Sequence, residues 1–73
     1  MSDRNKVLRQ IRQGLSEALA VASEELYPGL GETWVLTPGE KAQNYVLETA
    51  LQAALDIADA VIDLNIAESA RQE

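Results

Sequence analysis

In the first third of the chain, Leu8, Ile11, Leu15, Ala18 and Ala22 recur at alternating steps of three and four, with Val7, Leu19 and Leu26 widening the stripe. That spacing holds side chains on one side of a 3.6-residue turn and predicts an amphipathic helix over about residues 3–26. Ser2 fits its N-cap. Gly14 lies inside it at a cost of about 1 kcal/mol relative to Ala, either as a tolerated interior glycine or as the mark of a close helix approach. Pro28 stops continuation, and Gly29 and Gly31 offer the positive φ angles that helix exits use.

The next pattern is a connector over residues 27–36, Tyr-Pro-Gly-Leu-Gly-Glu-Thr-Trp-Val-Leu, unusually apolar for a surface loop and holding two of the three aromatic residues. It is expected to fold back as a lid on the end of the helices, with Tyr27 and Trp34 as a partner contact in the alternative. Thr37-Pro38-Gly39-Glu40 then spells a helix start. The Thr37 hydroxyl can accept from the third helical N–H, the Glu40 carboxylate can reach back to the Thr37 N–H, and Pro38 at the first helical position loses no hydrogen bond. No Pro or Gly follows Gly39, so this second helix is expected to run over about residues 38–70.

The second helix has two unequal sides. Lys41, Tyr45, Glu48, Gln52, Asp56, Asp59 and Asp63 form one narrow polar stripe, while Val46, Leu47, Ala50, Leu51, Ala53, Ala54, Ile57, Ala58, Ala60, Val61, Ile62 and Leu64 cover an arc of about 200°, against the 100° or so that one neighbour needs. One antiparallel helix covers only part of that arc. The fold class expected is therefore all-α: a single domain, residues 1–73, forming an antiparallel two-helix hairpin that dimerises into a four-helix bundle.

Composition strengthens the need for a second copy. At 73 residues the core is small, and the absence of both Cys and His removes disulfides and the usual zinc ligands as staples. No 7–15-residue apolar run follows the basic N-terminal residues, and no stretch approaches the roughly 20 apolar residues that span a bilayer, so a cytoplasmic protein without a membrane is expected.

Charge sets the orientation. Of the net charge of −6, residues 1–13 carry four basic residues (Arg4, Lys6, Arg9, Arg12) against Asp3, and the remainder carries Lys41 and Arg71 against eleven acids. In an antiparallel hairpin the basic start of the first helix lies beside Asp56, Asp59, Asp63 and Glu68, so opposite charges meet. The acidic total argues against general binding to phosphate backbones, whose affinity comes from Lys and Arg displacing counterions.

The chemistry left to such a chain is that of carboxylates, since His bases and Cys nucleophiles are absent. Asp56, Asp59 and Asp63 share a helical face with Glu48, a set that could hold Mg²⁺ if a second acidic helix faced it, or that could simply be solvated and paired with Arg9 and Arg12. Asp56-Ile-Ala-Asp59-Ala-Val-Ile looks like the second half of the paired-acid metal motif of MazG-type all-α nucleotide pyrophosphohydrolases. The first half, a Glu-x-x-Glu pair, is missing, because Glu17, Glu24 and Glu25 do not form one. No catalytic residue, metal ligand or cofactor is assigned.

Residues 42–64, and within them Tyr45-Val-Leu-Glu-Thr-Ala-Leu-Gln-Ala-Ala-Leu-Asp-Ile-Ala-Asp-Ala-Val-Ile62, resemble the second helix of HepT-type HEPN proteins, the nuclease half of HepT/MNT toxin–antitoxin modules. The resemblance implies a core helix of a dimerising four-helix bundle. The Arg-x4-6-His nuclease motif of that family has no counterpart here, which implies a nuclease-dead relative.

These readings converge on a non-enzymatic acidic protein–protein interaction module, such as an antitoxin, a phage-type inhibitor or an adaptor. Its partners are expected to be a second copy and another protein, the latter contacted through Trp34, Tyr27, Asp56, Asp59 and Asp63. The alternatives are the HEPN-like remnant, a metal-dependent pyrophosphohydrolase-like enzyme, and an RNA-binding hairpin dimer using the basic N-terminal patch.

Overall fold

The computed structural model describes residues 3–29, 31 and 34–71. Two helices, α1 (Asp3–Glu25) and α2 (Pro38–Arg71), pack side by side as an antiparallel hairpin, and no strand occurs among the described residues. The Ser2 N-cap expectation lies outside them.

Helix α1 ends one turn before Pro28. The Leu26 N–H still donates to the Ala22 carbonyl (3.2 Å), and the one positive φ among the described residues, 88°, falls at Gly31. Helix α2 starts on the reciprocal cap that its sequence spells. The Glu40 N–H donates to Thr37 Oγ1 at 3.1 Å, the Thr37 N–H donates to Glu40 Oε1 at 2.9 Å, and the Lys41 N–H closes the first turn on the Thr37 carbonyl at 2.9 Å. Two of the donors that a helix start leaves orphaned are thereby satisfied.

The contact between the helices is a pair of seams, each stepping by four and three. On α1 it comprises Leu8, Arg12, Leu15, Leu19 and Ala22, continued by Leu26; on α2 it comprises Asn44, Glu48, Leu51, Leu55, Ala58, Ile62 and Asn65, and every one of these is buried or half-buried. Such a period keeps one stripe facing one neighbour along the whole helix. The polar bonds across the seam report the register: Asn5 with Asn65, Arg12 with Asp59, Ser23 with Glu48, and the Leu26 carbonyl with Asn44. As one partner advances along α1 the other retreats along α2 by the same number of positions to within one, so the hairpin has a single unslipped register.

This core is thin. Ala22 and Leu55 are the buried apolar residues among those described, at 4% and 6% exposure, and the molecule measures 58 × 18 × 14 Å, one helix deep. Val7, Ile11 and Val21 on α1 and Val46, Ile57 and Leu64 on α2 each keep about half or more of their surface in solvent.

Candidate functional site

Helical geometry divides the hairpin into two broad faces. At 100° per residue, Lys41, Tyr45, Gln52, Asp56, Asp59 and Asp63 fall on one side of the α2 seam, with Glu48 on its edge, and Leu47, Ala50, Ala54, Ile57, Val61 and Leu64 fall on the other. In α1 the seam has Arg9, Gln13, Ser16 and Ser23 on the first side and Val7, Ile11, Gly14, Ala18 and Val21 on the second. The hairpin thus has a polar face and an apolar face.

Hydrogen bonds concentrate on the polar face. Arg12 Nε donates to Asp59 Oδ1 at 2.8 Å, an ion pair whose side chains keep 42% and 52% of their surface exposed. Gln52 Nε2 donates to Asp56 Oδ1 at 3.3 Å, one helical turn away, and Asp63 is exposed. Asp56, Asp59 and Asp63 therefore lie along one stripe as expected, with Asp56 and Asp59 bonded to different partners. Among the described residues no group of three or more acidic side chains is placed to hold a metal ion.

At the connector end Glu48 is the hub. Its Oε1 accepts from Ser23 Oγ at 3.3 Å, and its Oε2 accepts from the Tyr27 hydroxyl. That bond, with burial and the Glu48 charge adding to it, holds the Tyr27 phenol above its ordinary pKa, since the ionised form would lose its acceptor and face a carboxylate. Beside it Asn44, 7% exposed, donates from Nδ2 to the Leu26 carbonyl at 2.7 Å. A residue of α2 thus caps the C-terminal end of α1, whose last turn carries no basic side chain of its own. Sequence reasoning placed Glu48 in the polar stripe and did not single out Asn44. The available signal was the four-and-three seam, in which both stand among Leu51, Leu55 and Ile62.

The described residues of the connector differ in burial. Leu36 is half-buried, Tyr27 keeps 36% of its surface, Trp34 keeps 42% and Val35 keeps 78%. Trp34, which the lid reading would bury, is thus left with a substantial part of its surface in solvent. Tyr27 lies on the Glu48 cluster, apart from the Asp56–Asp63 part of the stripe by two or more helical turns, so the five candidate contact residues fall into two groups. No helix among the described residues is long and apolar enough to cross a membrane.

No family model, curated protein or solved structure matches this chain.

Proposed function

We propose that the chain is a non-enzymatic protein–protein interaction module that works as a homodimer, its apolar face closed by a second copy and its acidic polar face turned outward to another protein. The observation that carries the reading is the division of the hairpin into two faces. The polar side chains bond across the helix pair on one side, whereas Val7, Ile11, Val21, Ile57 and Leu64 stand uncovered on the other. An exposed apolar strip across the middle of a molecule, bounded by polar residues toward its ends, marks an interaction surface. The partner-facing surface is the row Asp56, Asp59 and Asp63, a line of carboxylates suited to a basic surface on another protein.

Sedimentation equilibrium at micromolar concentration tests the first half, with a species of twice the 8.0 kDa chain mass expected. A folded species of the single-chain mass would refute it. The second half is tested by affinity capture from the native host with the wild type and with Asp56, Asp59 and Asp63 all changed to Asn. The triple variant should keep its fold, because exposed pairs contribute about 0–1 kcal/mol, and lose the captured protein. An unchanged capture profile would remove the acidic row from the functional account.

A further inference from the structure

Resting on the homodimer reading, we infer that the second copy docks across the apolar face with its connector at the opposite end, so that α2 crosses α2 and α1 crosses α1, each pair antiparallel about one two-fold axis. Surface area indicates how much must be covered. The chain exposes 5656 Å², whereas a compact monomer of its mass exposes about 4,450 Å². The excess of about 1,200 Å² exceeds the roughly 800 Å² that each side of a standard interface buries.

The sequence of the apolar face is self-complementary in this orientation. On α2 an antiparallel copy sets Leu47 against Leu64 at the outer layers, and Ala50 against Val61 and Ala54 against Ile57 at the inner ones, where small residues meet large ones. On α1 the same operation sets Val7 against Val21, Ile11 near Ala18 and Gly14 against its own counterpart. The two seams share one midpoint. In the hairpin register, Gly14 lies two positions past the Arg12–Asp59 pair, level with Asp56 or Ile57, and the α2 seam is centred between Leu55 and Asp56. One axis therefore satisfies both. Gly14 also gains a role that the hairpin alone does not supply, since a Cβ built there meets nothing within 4 Å.

Charge selects this arrangement over the one with both connectors at the same end. The connector end of each hairpin carries Glu24, Glu25 and Glu40 against Lys41, and the other end carries Arg4, Lys6, Arg9 and Arg71 against Asp3, Asp63 and Glu68, so the first end is acidic and the second is basic by one charge. Copies aligned the same way would bring the two acidic connector ends together, whereas opposed copies set each acidic connector end beside the more basic end of the other copy, with Glu40 level with Arg71 and Glu25 level with Arg4.

The chain has no cysteine, so single labels can be placed without background. Lys41→Cys lies on the polar face near the connector, and in the opposed dimer two spin labels there sit about 45 Å apart along the axis, from 1.5 Å of rise per residue. Pulsed dipolar spectroscopy on the dimer should return that distance. A separation below two-thirds of that value would overturn the opposed arrangement while leaving the homodimer intact, and a monomer in the sedimentation experiment would overturn both. Gly14→Cys gives a second readout: it should oxidise to a covalent dimer, while Asp63→Cys, on the polar face, should not. Failure of Gly14→Cys to cross-link in a sample that sediments as a dimer would overturn the shared axis.

Discussion

Replacing Asn44 with Ala should destabilise the protein more than truncating any other polar side chain that bonds between the two helices. Asn44 is 7% exposed, and its Nδ2 makes a 2.7 Å bond to the Leu26 carbonyl, one of the acceptors that the end of α1 leaves without an intrahelical donor. Loss of the bond costs about 1 kcal/mol, and a carbonyl left without a partner adds up to about 1–3 kcal/mol where water cannot replace the amide. Leu26 is half-buried, so water reaches it in part, and a total of about 2 kcal/mol follows. For a chain of this length that is a fall in Tm of about 10 °C, read by circular dichroism at a fixed protomer concentration because association couples to stability. Asn65→Ala is the internal reference. Its Nδ2 bond to Asn5 Oδ1 is 3.4 Å long and lies near the open end, so its loss should cost less than about 1 kcal/mol. If the two variants melt within a degree or two of each other, the C-terminal capping role assigned to Asn44 is wrong.

Thr37→Ala should cost about 1 kcal/mol by removing the acceptor of the Glu40 N–H, and Glu40→Ala less, with chemical denaturation midpoints as the measure; two unmoved midpoints would refute the cap. Stability should fall at alkaline pH through Tyr27. Its folded pKa is raised, so the folded state holds the phenol proton more tightly than the unfolded chain; that contribution is complete below the unfolded value of about 10 and lost as pH rises through the folded value. Tyr27→Phe should flatten that alkaline limb, and an unchanged limb would assign it elsewhere. A double-mutant cycle on Arg12 and Asp59 should return less than about 1 kcal/mol, because both side chains are half exposed, and the coupling should vanish in molar salt. A coupling several times larger, or one that survives the salt, would mean that the pair is shielded from solvent.

The parts of the fold that could be read from the sequence are those set by neighbours in the chain. Thr37 to Glu40 is a closed local circuit, and its three hydrogen bonds need nothing from α1. The four-and-three recurrence of Leu15, Leu19 and Ala22 likewise fixes a stripe before any partner is known. Asn44 was illegible because its value comes from a carbonyl eighteen positions earlier, and a polar residue within an apolar seam reads equally well as a break in the seam. The candidate site behaved in the same way. The Asp56–Asp63 row follows from helical spacing alone, whereas the joining of Ser23, Tyr27 and Glu48 depends on the register of the hairpin, which periodicity does not specify to within a residue. Trp34 lies in a connector without a repeating pattern, so the sequence left both a plug and an exposed contact open for it, and its 42% exposure lies between the two.

The two faces solve different problems, and the residues used reflect that. The hairpin itself is specified by the polar members of its seam, where Arg12, Asn44 and Glu48 each bond across to the other helix and so penalise any slipped register. Apolar packing alone would not do this, because stripes of Leu and Ala stepping by four and three slide past one another by a heptad at little cost. The opposite side offers mixed large and small apolar residues over a length that the hairpin cannot cover itself. Closing that side with a second copy places all of the specific polar chemistry on the outside of the assembly. The Asp56–Asp63 row and the partly open Tyr27 and Trp34 end then appear twice, related by symmetry, and a partner able to grip both copies would gain from their effective concentration without any additional contact.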